Sequence, residues 1–176
     1  MSLGGQEGLA DSGQVRVDAA IEGHNAAVRQ ELKHAIEALE PMAFELFVAR
    51  VLTESGFEVK HTGRSNDGGV DAEAVLSLEG LTSVLTNVQA KRWSHSVPRR
   101  IVREPRGALR VDKRGLIVTT AEYTPEVIRE PAAHGKAKTG LPGGDALGRT
   151  CAERGIGVDR RQVVVPEPIP GDLRLQ

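Results

Sequence analysis

Asp71, Gln89 and Lys91 are an acid, an amide and a base at a spacing that suits phosphate chemistry. A carboxylate and an amide oxygen are hard donors. Mg²⁺ takes few such protein ligands and keeps several waters. The backbone carbonyl of Ala90 adds a third oxygen between Gln89 and Lys91. An ammonium two residues from the amide can meet a phosphate oxygen or the attacking water. A divalent cation acidifies that water and stabilises the pentavalent oxyanion. Taken as a bare pattern, the same three residues also fit a solvated hairpin face.

Two strand-like segments must position them, 68–78 and 82–93. Gly80 sits in the three-residue loop between them, where hairpins favour glycine. Side chains alternate faces along a strand. Val70, Ala72, Ala74 and Leu76 therefore share one face, and Val84, Thr86, Val88 and Ala90 share a face of the partner. A three-residue loop pairs Leu76 with Val84, Ala74 with Thr86, Ala72 with Val88 and Val70 with Ala90. Asp71 then lies opposite Gln89 on the reverse face. A two-residue loop would set Asp71 against apolar Val88, because a one-residue slip exchanges faces.

An amphipathic helix precedes the hairpin. Pro41 starts it, and Phe44, Phe47, Val48, Val51 and Leu52 recur at helical spacing until Gly56 ends it. Glu45 flanks that stripe and is placed to join the cluster. Asp67, in an Asn-Asp-Gly-Gly turn, reads most simply as a turn residue.

The rest of the chain is read as a flexible segment over 1–23, a helix over 24–40, a small globular domain over 41–165 and an extended tail over 166–176. Val15 to Ile21 reads as a short strand or linker. Phe57 to His61 reads as a strand, Val97 to Leu109 as a helix interrupted by Pro105, and Gly115 to Ala121 as a strand buried on both faces. Thr124-Pro125-Glu126 is a helix start, and Pro131 cuts that helix short. Asp145 to Arg154 is a helix; Ile156 to Val158 and Val163 to Val165 are short strands. Gly135 to Gly140 mimics a phosphate loop without the required Lys-Ser/Thr and reads as a plain loop. The order implies an α/β fold, a mixed sheet flanked by helices.

The chain has 176 residues and a net charge of -1. That charge is unevenly spread. Residues 1–90 carry 6 basic and 14 acidic side chains, whereas residues 91–114 carry 9 basic and 2 acidic ones. A basic block directly after the hairpin suits a phosphate-binding face, with Arg92, Arg99, Arg100, Arg103 and Arg106 as candidate DNA contacts. No run of about 18 apolar residues exists, so no membrane span is expected. The single cysteine, Cys151, and the absence of a secretory signal suit a cytoplasmic protein. The five histidines show no zinc-ligand spacing. Trp93 reads as a buttress of the hairpin, and Thr119 and Thr120 as the end of a strand.

Phe44-Glu45, Gly56-Phe57-Glu58-Val59, Asp67-Gly68-Gly69-Val70-Asp71 and Val88-Gln89-Ala90-Lys91-Arg92-Trp93 come in that order. Val102-Arg103-Glu104, Gly107-Ala108-Leu109, Gly115 to Thr120 and Gly155-Ile156-Gly157-Val158 follow. Over roughly residues 42–158 the chain resembles the Mrr-like branch of the restriction-endonuclease superfamily. The resemblance implies a PD-(D/E)xK core with Gln in place of the second acid. Asp71 and Gln89 then look like metal ligands, Lys91 like the catalytic lysine and Glu45 like a supporting helix glutamate. Two departures stand out. Pro105 and Pro131, each in an Arg-Glu-Pro triplet, interrupt helices that are continuous in relatives. Residues 1–40 hold about one helix, less than the winged-helix reader that many relatives carry.

The expectation is a Mg²⁺-dependent DNA endonuclease of restriction type, with Mn²⁺ as a substitute cation. Its partner is double-stranded DNA, and cutting both strands calls for a homodimer or successive nicks. The competing expectation is a DNA-binding module of the same fold that has lost turnover.

Overall fold

The computed structural model describes residues 7–62, 70–78, 82–93, 95–97, 114–129 and 138–166. The helices are α1 (Glu7–Glu37), α2 (Pro41–Glu54), α3 (Pro125–Arg129) and α4 (Gly144–Arg154). The strands are β1 (Glu58–His61), β2 (Ala72–Leu78), β3 (Thr82–Lys91), β4 (Arg114–Thr119) and β5 (Thr139–Gly140). The described residues fall into two units. One holds α1 up to Val28 and the stretch from Asp159; the other spans Arg29–Val158.

Within the second unit, β1 to β5 form one sheet in chain order. β1, β2 and β3 are antiparallel, and β4 and β5 join in parallel. The sheet is therefore mixed, as the sequence implies. The β2–β3 ladder pairs Leu76 with Val84, Ala74 with Thr86 and Ala72 with Val88, the register of a three-residue loop. The expected pair of Val70 with Ala90 is absent, because β2 begins at Ala72.

The sheet faces two apolar clusters. On one face Ala72, Ala74, Val88, Ala90 and Val118 pack with Ile36 of α1, Phe44, Val48, Val51 and Leu52 of α2, and Leu147 and Cys151 of α4. Phe44 and Cys151 are wholly enclosed there. On the other face Ile117 packs with Val97, Tyr123 and Val127. Burying a side chain such as Phe44 contributes about 2 kcal/mol.

Turn chemistry fixes where the elements stop. Pro41 opens α2, and Gly56 follows the helix in the left-handed region at φ 92°. Gly155 closes α4 at φ 72°. Gly144 opens α4 where a Cβ would collide with the Thr120 carbonyl, so helix and strand end approach closely.

Several expectations are corrected. Residues 7–23 of the segment expected to be flexible, with Val15 to Ile21 read as strand or linker, belong to α1, which begins at Glu7 rather than near residue 24; residues 1–6 lie outside the described residues. No proline precedes Pro41, and the two glycines within 13–23 cost only about 1 kcal/mol each. Gln14 also donates to Asp18 one helical turn on, at 2.8 Å. Ile156 to Val158 and Val163 to Val165 form no strand. Ile156 is buried in the core, but Val163 and Val164 are exposed, and strand preference alone does not hold an unpaired segment extended. Thr139–Gly140, read as loop, pairs with β4 as a strand too short to show a period. The expected helix after Val97 and the positions of Pro105 and Pro131 lie outside the described residues. Val97 itself is buried without regular structure.

Candidate active site

The β2–β3 ladder ends one residue short of Asp71, and the aspartate takes over. Its N–H donates to the Val88 carbonyl at 2.9 Å, and its carbonyl accepts the Thr62 N–H at 3.3 Å. The Thr62 hydroxyl donates to the Val70 carbonyl at 2.8 Å, fastening the chain just before it. The Asp71 carboxylate accepts the Ala90 N–H through Oδ2 at 2.7 Å. A strand residue sends its N–H and C=O to the same side. The Ala90 carbonyl therefore projects toward the Asp71 end of the hairpin.

Gln89 stands next to this bond on the opposite face from the α2 core. It is only 8% exposed, and its Oε1 has no hydrogen-bond partner among the described residues. A buried acceptor left without a donor is costly. Lys91, two residues on, is partly buried at the end of β3, where its charge acts on both Asp71 and Glu45. Glu45 is partly buried on α2. The structure thus brings Asp71, Lys91 and Glu45 into one electrostatic cluster, with Gln89 beside it.

The charges in this cluster are poised against their surroundings. Burial raises the Asp71 carboxyl above its ordinary value, and the Ala90 N–H and Lys91 partly restore it. Burial is also the main cause that raises Glu45. The negative charge of Asp71 adds to it, while Lys91 and His61 oppose it. Two carboxyls raised by burial and an unpartnered amide oxygen are hard oxygen donors of the kind a hard cation takes. Among the described residues, no three His, Cys, Asp or Glu side chains group as a metal cluster. Any cation here would depend on the amide and a main-chain oxygen.

Arg92, Trp93 and the threonines after β4 frame the site. The Arg92 guanidinium is exposed and donates to the Glu37 carbonyl at the end of α1, at 3.3 Å. The Trp93 N–H reaches the Thr120 hydroxyl at 3.1 Å, and that hydroxyl donates to the Trp93 carbonyl at 2.8 Å. Thr120 is 1% exposed, so this reciprocal pair locks the end of β3 to the end of β4. Thr119 is buried too, and its hydroxyl accepts the Ala121 N–H. Both threonines are structural in this arrangement. Asp67, Arg99, Arg100, Arg103 and Arg106 lie outside the described residues.

Sequence reasoning passed over His61. The signal was available: Val59 and His61 alternate along β1, so the residue that faces the core predicts where its neighbour two on will point.

A family model described as restriction endonuclease, Mrr_cat, matches residues 36–149. The type IV methyl-directed restriction enzyme EcoKMrr of Escherichia coli (strain K12) is 31% identical over 159 residues, covering 86% of this chain and 51% of the relative. The chain therefore spans about half the length of that curated relative. The MspJI restriction endonuclease, solved in complex with a 27-mer oligonucleotide, is 30% identical, with a TM-score of 0.54 over 73% of this chain and 31% of that one. The DNA modification-dependent restriction endonuclease AspBHI shares the fold at 18% identity, with a TM-score of 0.58 over 73% of this chain and 36% of that one. The match reaches from the end of α1 into α4 and takes in Glu45, Asp71, Gln89 and Lys91. This chain belongs to the Mrr-type catalytic-domain family of restriction endonucleases.

Proposed function

We propose that this chain is a metal-dependent DNA endonuclease domain of restriction type that hydrolyses phosphodiester bonds. One observation carries the proposal. The buried Gln89 Oε1 has no donor among the described residues, and it adjoins the Ala90 main chain that the Asp71 carboxylate holds. Asp71, Gln89 and the Ala90 carbonyl would hold Mg²⁺, or Mn²⁺ in its place. Bound there, such an ion acidifies water and offsets the charge that develops on the phosphate.

The residues do the rest. Asp71 is oriented by the Ala90 N–H, which leaves Oδ1 for a further partner. Gln89 offers a neutral oxygen, so the site carries less charge than one with two acids. Lys91 presents an ammonium to the scissile phosphate and the water beside it. Glu45 supports the cluster from α2. Arg92, Arg99, Arg100, Arg103 and Arg106 supply contacts to backbone phosphates of double-stranded DNA. Two copies of the chain, or two successive nicks, cut both strands.

Incubation of supercoiled plasmid with the 176-residue chain tests this. Open-circular or linear product in Mg²⁺, none in EDTA, and none from Lys91→Ala is the expected result. Equal conversion in Mg²⁺ and EDTA, or equal conversion by wild type and Lys91→Ala, would overturn it. Duplex binding without product would instead identify a silent DNA-binding module.

A further inference from the structure

His61 closes β1 beside the centre, yet nothing in the metal and lysine chemistry uses it. It pairs directly with Ala72, the residue after Asp71. Directly paired residues place their side chains on one face, so His61 shares the face of Ala72, which is buried against α2. Val59, two residues earlier on β1, packs against the same cluster. His61 thus rises from the α2 side of the sheet, where Glu45 stands, and its charge acts on the Glu45 carboxyl. Unlike Val59 it is exposed, and among the described residues no hydrogen bond engages its ring. The next residue, Thr62, is tied by main chain and hydroxyl to Asp71 and Val70. The strand end that carries the imidazole is therefore fixed relative to Asp71.

In strand order, His61 lies on β1, Asp71 before β2 and Lys91 on β3. A residue able to donate thus lies on each strand beside the aspartate, His61 on the α2 face and Lys91 on the face of Gln89. Two carboxylates repel an entering DNA strand, so hydrogen-bond donors beside the scissile phosphate favour its binding. Lys91 serves one side.

We propose that His61 is a substrate-contacting residue, whose ring N–H binds the backbone phosphate next to the one being cut, on the side of Asp71 away from Lys91. The inference rests on the nuclease reading for its site, but its test does not need turnover.

Duplex affinity is measured with Ca²⁺ in place of Mg²⁺, for wild type, His61→Ala and His61→Lys, with cleavage kinetics in Mg²⁺ alongside. His61→Ala should raise Kd and KM roughly three- to tenfold and leave kcat within about twofold, the pattern of a lost phosphate contact. His61→Lys should bring Kd back to within about twofold of wild type, because the lysine restores a donor. Circular-dichroism melts check that both variants fold. Unchanged Kd and KM in folded His61→Ala would overturn the proposal, as would failure of His61→Lys to restore binding or a loss confined to kcat. If wild type binds DNA but never cuts, the nuclease reading fails while the Kd comparison still decides the role of His61.

Discussion

The Asp71 carboxylate accepts the Ala90 N–H at 2.7 Å, where a strand pair would otherwise have continued the β2–β3 ladder. One side chain thereby ends the hairpin and fixes the main chain between Gln89 and Lys91. Removing its charge and removing its hydrogen bond should therefore have different consequences. Asp71→Asn keeps an acceptor for Ala90 and should fold at least as well as wild type while losing cation affinity. Asp71→Ala leaves that N–H without its partner and should cost about 1–2 kcal/mol. Chemical denaturation of the two variants separates the roles.

Stability should also depend on pH in a direction set by these carboxyls. Asp71 and Glu45 are both raised, chiefly by burial. A raised carboxyl means that the folded protein binds protons more tightly than the unfolded chain. Without cation, stability should therefore fall as pH rises from the ordinary carboxylate range through the raised folded values. Asp71→Asn and Glu45→Gln should flatten that fall and melt higher at neutral pH, and added Mg²⁺ should raise the wild-type melt there. Thermal melts across about pH 4 to pH 8 check the sign.

Gln89 gives the opposite separation. Gln89→Leu removes a buried acceptor with no donor and fills similar space, so its effect on stability should be within about 1 kcal/mol. If Gln89 holds the cation as proposed, cleavage should fall at least about 100-fold. Matched denaturation and plasmid-cleavage measurements would show whether stability and activity part in this way.

Thr120 should matter to the site without touching it. Its hydroxyl serves both the N–H and the carbonyl of Trp93, two residues beyond Lys91. Thr120→Val keeps the shape and strands both groups. A loss of about 2–3 kcal/mol is expected, with a drop in cleavage that exceeds any change in DNA affinity as Lys91 loses its register.

A second anchor lies at the start of α4. Lys33 donates to Asp145 at 2.6 Å, and the Asp145 N–H donates to Glu122 at 2.8 Å. The hydrogen bond to Asp145 is the main cause that raises the Lys33 pKa. A raised lysine stabilises the fold at all pH values below its unfolded pKa, and the contribution is lost as pH climbs through the folded one. Lys33→Met should cost about 0.5–1 kcal/mol at neutral pH and nothing in strongly alkaline solution, measured by denaturation at both.

The hairpin was legible because its alternation and loop length leave a single register that hides Ala72, Ala74 and Val88 together. Its end was not. Alternation alone carries the ladder to Val70 and Ala90, and only a side chain taking the Ala90 N–H stops it at Ala72. The first half of α1, ahead of the helix read from residue 24, escaped notice because its glycines and weak periodicity mask a helix that contains no proline. Thr120 was hidden for a related reason: its hydroxyl acts on Trp93, a neighbour in space that no local period brings to it.

Calorimetric titration of divalent cation into wild type, Asp71→Asn and Gln89→Leu addresses the centre most directly. Saturable binding by wild type, weakened at least about tenfold in each variant while their melts stay intact, is the predicted result. Binding of equal strength in all three proteins would contradict the assignment of Asp71 and Gln89 as the residues that hold the metal.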